Sequence, residues 1–329
     1  FQTWDSYRKD LVRWTDASSV AATRMANLII LRGFQKNGYL QSKAMLLAAS
    51  ELKKATGFKY MVDEMDRACR VHDVPAELGR LKTLVTLNRP EVANAMNTHM
   101  GEELLAVLAG PDAPVASARC VVLTGAGDRA FCAGADLKER NGMTDAEWLQ
   151  QHALFETLAL ALMDLRVPLI GAINGAAFGG GMEMTLACDF VYAASTARFA
   201  LTETTLGILP GTCGTQYLPG AVGIRRAKEI ILTGRPFSAE QALDWGMVNE
   251  VCEAADLLVE ARKTATVIAG NGPIAVREAK RAMNHAAHGD LKAGYRVELG
   301  AYSKVVPTAD RREGILAFNE KRKPQFKGE

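Results

Sequence analysis

From residue 81 onward the sequence predicts an α/β layered fold with mostly parallel strand pairing. Three observations predict it. Short β-rich runs alternate with longer helical ones. Arg119 to Thr124 (RCVVLT) is a bounded apolar run of strand length. Pro168 to Ile173 reads as another strand and passes at once into Asn174-Gly175 and a cluster of glycines.

The elements follow in order. Trp4, Tyr7, Leu11 and Trp14 recur at helical spacing, and Ala44 to Ala55 and Tyr60 to Val71 also read as helix. Val71-His72-Asp73-Val74-Pro75 reads as a break. Residues 1–80 therefore form a helical N-terminal region of unknown role. It carries 13 Lys/Arg against 9 Asp/Glu, while the remainder carries 26 against 28, so any basic patch belongs to this segment. Thr83 to Leu87 is a strand and Thr98 to Ala109 a helix. Thr144 to Leu165 is a long helix whose Thr144, with Glu147 three residues on, has the pattern of a capping box. A catalytic core is expected over 81–265 and a C-terminal helical region over 266–329.

Composition excludes several classes. Apolar residues at 48% and charged residues at 23% are globular proportions. The longest apolar stretches, such as Leu158 to Met163, fall far short of the roughly 18 residues that span a bilayer. A net charge of +2 offers no global field for nucleic acid or acidic lipid. Six cysteines at 69, 120, 132, 188, 213 and 252 show no CxxC spacing, so reduced thiols are expected rather than disulfides or zinc. That suits a cytoplasmic protein, or one of the mitochondrial matrix if the source is eukaryotic. The sequence opens at Phe1 without a methionine, so a removed targeting segment would leave no trace. His285 and His288, with no Cys or acid cluster near them in sequence, read as a solvated helix face, and no metal is expected.

The chemistry gathers in residues 174–189, NGAAFGGGMEMTLACD. Three glycines after a strand let the backbone turn tightly and leave amide hydrogens exposed at a helix start, where a phosphate or a developing oxyanion could bind. Neither the GxGxxG nor the GxxxxGK[ST] spacing is present, and close helix–strand packing is the alternative use. Glu183 lies three residues after Gly180, so a helix puts both on one face. A helix of about seven residues runs roughly 10 Å. The strand Phe190 to Ala194 returns roughly 17 Å. The chain thus comes back to the end where it started, and there it meets Glu203 in FALTETTLG. Two carboxyl groups beside exposed amides form an acid/base pair able to act on an activated carbonyl compound.

Residues 84–329 resemble the crotonase (enoyl-CoA hydratase/isomerase) superfamily. The resemblance rests on Leu87-Asn88-Arg89-Pro90 with Asn94-Ala95, on Ala130 to Glu139 (AFCAGADLKE), on NGAAFGGGMEMTLACD and on ETTLGILPGTCGTQYLP, in the family's order. AGADLKER (133–140) and residues 307–329 look closest to the methylglutaconyl-CoA hydratase branch. The resemblance implies a spiral of ββα turns with C-terminal trimerisation helices. It implies an oxyanion hole from the amides of Ala135 and Gly180, with Glu183 as base and Glu203 as acid in reversible syn hydration of a 2,3-enoyl-CoA thioester. Coenzyme A would lie along the Asn88–Val92 turn and the AGADLK loop, which brings in Val92, Ala133, Asp136, Leu137 and Lys138. Phe318 and Lys321 would help to close the site of the same or a neighbouring subunit. No cofactor beyond the thioester substrate is implied, and a trimer or dimer of trimers is. The alternatives are a methylglutaconyl-CoA hydratase of leucine breakdown, with Arg140 facing the distal carboxylate, and a Δ3,Δ2-enoyl-CoA isomerase.

Three features depart from the family pattern. A helical stretch stands where the family has an N-terminal β-hairpin. Cys213 sits where glycine is common, so it is either strained at positive φ or placed in the acyl pocket. The lysine-rich helix of the family's RNA-binding branch has no counterpart, since Thr98 to Ala118 holds no Lys or Arg and three acids; no RNA partner is expected through it.

Overall fold

In this computed structural model residues 69–73, 82–109, 113–286 and 290–329 are described. The helices expected before residue 69 lie outside them.

The described residues begin with two strands, β1 (Cys69–Asp73) and β2 (Lys82–Leu87), followed by helix α1 (Thr98–Ala109). Strands β3 (Cys120–Gly125) and β4 (Ala130–Cys132) lead to α2 (Leu137–Arg140) and the long α3 (Asp145–Met163). Then β5 (Leu169–Ile173) and β6 (Ala176–Phe178) lead to α4 (Gly180–Leu186). Next β7 (Phe190–Ala194) and β8 (Arg198–Ala200) lead to a 3-10 turn, Glu203–Leu206, and to α5 (Gly214–Val222) and α6 (Ile224–Thr233). The remaining elements are β9 (Phe237–Ser238), α7 (Ala239–Asp244), β10 (Glu250–Cys252), α8 (Leu257–Ala269), α9 (Pro273–Ala286), α10 (Leu291–Val305) and α11 (Ala309–Asn319).

Each of the pairs β3/β4, β5/β6 and β7/β8 splits between two sheets. One sheet has the order β1-β2-β3-β5-β7-β10 and the other β4-β6-β8-β9. Pairing from β2 to β10 is parallel, with Leu84 opposite Val122, Val122 opposite Ile170 and Ile170 opposite Phe190. One strand in each sheet and then a helix, repeated, makes a spiral of ββα turns. Apolar β3 reads as a continuous run because both of its faces are covered. Cys120 and Val122 pack with Leu257, Ala261 and Ala265 of α8, whose residues at every fourth position are small enough for close approach. Val121 and Leu123 face the other way, into a core with Phe131, Phe199, Leu158 and Met182. That core lies beneath the site.

The long helix starts as its sequence requires. Thr144 caps α3, and Glu147 closes the capping box through both backbone amides. At the other end of the chain, buried Asp310 accepts hydrogen bonds from the amides of Lys327 and Gly328, which ties the tail back to α11.

The structure corrects the reading of the segment before residue 81. Cys69–Asp73 is a strand, not the end of a helix or a break, and it pairs antiparallel with β2 (Arg70 opposite Thr86, His72 opposite Leu84). The hairpin that seemed replaced is present. Its first strand, CRVHD, is an edge strand of mixed polarity, and that masked it behind the helical spacing of the preceding residues. The compact unit that holds the sheets runs Ala68–Glu329. The expected boundary at 265 falls inside α8.

Candidate active site

The three glycines divide their work. Gly179 caps α4 at φ +52. A Cβ on Gly181 would lie 2.1 Å from the carbonyl oxygen of Cys132, so only glycine lets α4 approach β4 this closely. Gly180 is the first residue of α4, where an amide has no acceptor within its own helix. The close-packing use and the exposed-amide use are thus both realised, at neighbouring residues.

A second amide comes alongside. The Met96 amide donates to the carbonyl of Gly134 (2.7 Å), and the Asp136 amide donates to the carbonyl of Met96 (2.9 Å), which bridges Met96 to Ala135 in parallel fashion. Strand alternation then turns the Ala135 amide away from Met96. The Cβ position of Gly134 is 3.6 Å from the nitrogen of Gly180, so the two glycine segments run side by side.

Glu183 lies on the helix that Gly180 opens and Glu203 approaches Gly179, and their surroundings differ. Glu183 is buried on the first turn of α4 and faces three donors. Its Oε1 accepts from the amides of Thr212 and Gly214, both at 2.8 Å, and its Oε2 accepts from the Thr212 hydroxyl. Glu203 opens the 3-10 turn after β8, with Oε1 3.4 Å from the Cβ position of Gly179. It is also buried, and among the described residues nothing hydrogen-bonds its Oε2. Burial pushes its carboxyl up and its own backbone amide pulls it down by less. The nearby Glu183 charge adds to the rise, from 4.5 to about 7. One carboxyl group is held by donors as an anion is, and the other is held near neutrality.

A pocket adjoins Glu183. Its walls are the facing turns of α3 (Phe155, Leu158, Leu162) and α4 (Gly180, Glu183, Met184), closed by Met96, Thr212 and Tyr217. The lining is apolar apart from Glu183, Thr212 and Tyr217, and its free space of about 10 Å³ admits at most a single water molecule.

Comparison with known proteins agrees with this geometry. Residues 83–329 match the enoyl-CoA hydratase/isomerase family. YngF of Bacillus subtilis, named for enoyl-CoA hydratase/isomerase, is 46% identical over 245 residues, which are 74% of this chain and 94% of YngF. The short-chain-enoyl-CoA hydratase of Clostridium acetobutylicum is 38% identical over 240 residues, 73% of this chain and 92% of that protein. The crystal structure of enoyl-CoA hydratase from Bacillus anthracis superposes with a TM-score of 0.76 at 44% identity, covering 80% of this chain and all of that one. The chain belongs to the enoyl-CoA hydratase/isomerase family.

Within this family member the remaining expected residues fall into two groups. Val92 ends a 3-10 turn, Pro90–Val92, that abuts the AGADLK loop through the Ala133 amide donating to Ala93 (3.1 Å). Ala133, Leu137 and Lys138 are exposed on that edge. Asp136 does a different job. It pairs with Arg89 at 2.9 Å and caps α2 through the amides of Lys138 and Glu139. Burial would raise its carboxyl, but Arg89 and those amides outweigh burial and hold it below the ordinary value. Its carboxylate anchors the loop. Phe318 is 83% exposed and Lys321 sits just past α11; neither lines the pocket of its own chain.

Arg140 is half-buried. Its Nε donates to Gln151 Oε1 (2.8 Å), and its guanidinium lies 4.1 Å from the Trp148 ring centre and 5.6 Å from that of Phe155. It approaches the pocket only behind Phe155. Cys213 is at φ +77, as a non-glycine at that position implied, and is not part of the pocket lining. His285 lies on α9 and His288 outside the described residues; among those described, no group of three or more His, Cys, Asp or Glu is placed to hold a metal. No helix among them is long and apolar enough to cross a membrane.

Sequence reasoning missed Thr212 and Met96. Thr212 stood in plain view in PGTCGTQ, but a short polar residue in a glycine-rich loop carries no periodicity to mark it.

Proposed function

We propose that the chain catalyses reversible syn addition of water to 2,3-enoyl-CoA thioesters. The observation that carries this reading is the contrast between the two buried glutamates, one surrounded by donors and the other near neutral pKa. The amides of Ala135 and Gly180 receive the thioester oxygen as it becomes enolate-like, each worth about 3 kcal/mol in comparable sites. Glu183 takes a proton from water as its oxygen bonds to the β-carbon. Glu203 gives its proton to the α-carbon from the same side. Dehydration runs the roles in reverse. The chemistry asks for no cofactor beyond the thioester itself, whose coenzyme A portion would follow the edge formed by Val92, Ala133, Leu137 and Lys138.

The test is the loss of enoyl-thioester absorbance on crotonyl-CoA. Glu183→Gln and Glu203→Gln should each lower kcat by at least about a hundredfold while coenzyme A binding survives; near-normal turnover in both would sink the assignment.

A second reading, hydration of methylglutaconyl-CoA, is favoured by Arg140, which forms no ion pair among the described residues. Burial lowers its pKa, which marks a partly desolvated cation. Arg140→Ala should then hurt the dicarboxylic substrate at least about tenfold more than crotonyl-CoA. Equal loss on both would dismiss it. Isomerisation between Δ3 and Δ2 esters would use the same two carboxyl groups without added water and would appear as activity on 3-enoyl-CoA.

Self-association is proposed as well. Leu291, Tyr295, Leu299, Tyr302 and Val306 form an exposed apolar stripe along α10. A reducing compartment, cytoplasm or mitochondrial matrix, is proposed from the spacing of the six cysteines, which contains no CxxC.

A further inference from the structure

We propose that Thr212 is a positioning residue, one that fixes the carboxylate plane of Glu183 and holds one end of the attacking water. The proposal rests on the hydratase reading above and assigns a residue to it.

The geometry points to a cradle built for this purpose. The loop after Glu203 and the first residue of α5 deliver two amides to a single oxygen, Glu183 Oε1, from Thr212 and Gly214, each at 2.8 Å. Between them Cys213 occupies the left-handed region at φ +77. Successive residues of unlike hand turn their amides toward one concave point, which suits an anion. A bulky residue held at positive φ costs conformational energy, and here that cost sits beside the proposed base. A Cβ on Gly214 would lie 3.0 Å from Glu183 Cγ and Oε1, so any larger residue there would press on the carboxylate.

The two amides alone leave Glu183 Oε2 unconstrained. A glutamate side chain has three torsions, the last of them soft, and a carboxylate held at one oxygen can still swing its plane. The Thr212 hydroxyl reaches that second oxygen. One residue thus grips both oxygens, by its amide and by its hydroxyl, and the plane is fixed. An ionised Glu183 has no hydrogen to give, so the threonine O–H is the donor. Its oxygen keeps lone pairs for another partner.

Both Thr212 and Glu183 line the pocket, whose whole free space is about 10 Å³, room for at most one water. A water there can donate one hydrogen to Glu183 Oε2 and the other to Thr212 Oγ1. In turnover the first hydrogen passes to Glu183 as the water oxygen bonds to the β-carbon. The C=C electron pair moves into the enolate, and Glu203 supplies the α-proton. The second hydrogen stays on the new hydroxyl group. Thr212 neither gains nor loses a proton overall.

The test uses the full chain and crotonyl-CoA, with Thr212→Val (same shape, no hydroxyl), Thr212→Ala and Thr212→Ser. Losing one hydrogen bond to a charged group predicts that Val and Ala lower kcat roughly ten- to a hundredfold. KM should stay within about twofold, since the thioester is bound elsewhere, and Ser should recover most of the turnover. Full kcat in Val or Ala, an effect on KM alone, or a Ser variant as slow as Val would each overturn the proposal. A Val variant that fails to fold leaves Ala and Ser to decide. A wild-type chain inactive on every enoyl-CoA tried would overturn the hydratase reading itself, a result separate from any difference among the variants.

Discussion

At the scale of single residues, Glu203 couples stability to pH in a direction that can be worked out. Its carboxyl stands at 4.5 when ordinary and about 7 in the folded chain. Between those values the folded state binds a proton that the unfolded state has released, so stability falls as pH rises across that window. The contribution is whole below about 4.5 and gone above about 7. Glutamine imitates the neutral acid at every pH. Glu203→Gln should therefore be more stable than wild type at pH 8, by on the order of 2 kcal/mol, with the gap closing toward pH 4.5. Urea unfolding at pH 5 and pH 8 would show this, and a gap independent of pH would contradict it. The same group makes kcat/KM for hydration decline as pH rises through about 7. The glutamate pair was legible because helix and strand lengths fix where the chain returns. Thr212 was not, because its meaning depends on a side chain twenty-nine positions away, across a loop whose path no local pattern specifies.

Among the elements, α4 carries both the Gly180 amide and Glu183, and its far end is held by an ion pair between a buried lysine and an exposed aspartate. Lys280 of α9 donates to Asp189 Oδ2 (2.7 Å) and to the Val167 carbonyl (2.8 Å), while the same carboxylate oxygen accepts from the Leu169 amide. One cation thus ties the start of β5 and the exit of α4 to the C-terminal helices. Removing it leaves the Val167 carbonyl without its buried donor, while exposed Asp189 keeps water and the Leu169 amide, so Lys280→Ala should cost about 1 to 2 kcal/mol. It should also loosen α4, with a fall in kcat accompanying the fall in stability. Denaturant midpoints and crotonyl-CoA turnover on the same preparation would show whether the two move together. Elements were readable where one signal dominated: the Thr144–Glu147 capping box marked the start of α3, and the apolar run marked β3. Strand β1 was lost because five residues are too few to outweigh the helical spacing that precedes them in sequence, and pairing with β2 shows their conformation instead.

For the whole molecule, α10 poses the largest demand. Leu291, Tyr295, Leu299, Tyr302 and Val306 recur at steps of three and four along one face and remain between 43% and 86% exposed. Soluble monomers rarely leave so long an apolar stripe in water. The opposite side of the helix is spoken for: buried Ala301 and the Lys304–Glu278 contact hold it against α9. A second copy of the chain is the expected cover. The exposure of Phe318 then gains a use, because a side chain remote from its own pocket can reach a neighbour's once copies assemble. Wild-type protein should sediment as a multiple of the single-chain mass, and Leu299→Asp with Tyr302→Asp should shift it toward one chain. If Phe318 acts across that interface, the dissociated form will show a raised KM for crotonyl-CoA, and Phe318→Ala in the intact assembly will reproduce the rise. A wild-type monomer with full activity would instead mean that the stripe serves another partner and that each chain closes its own site.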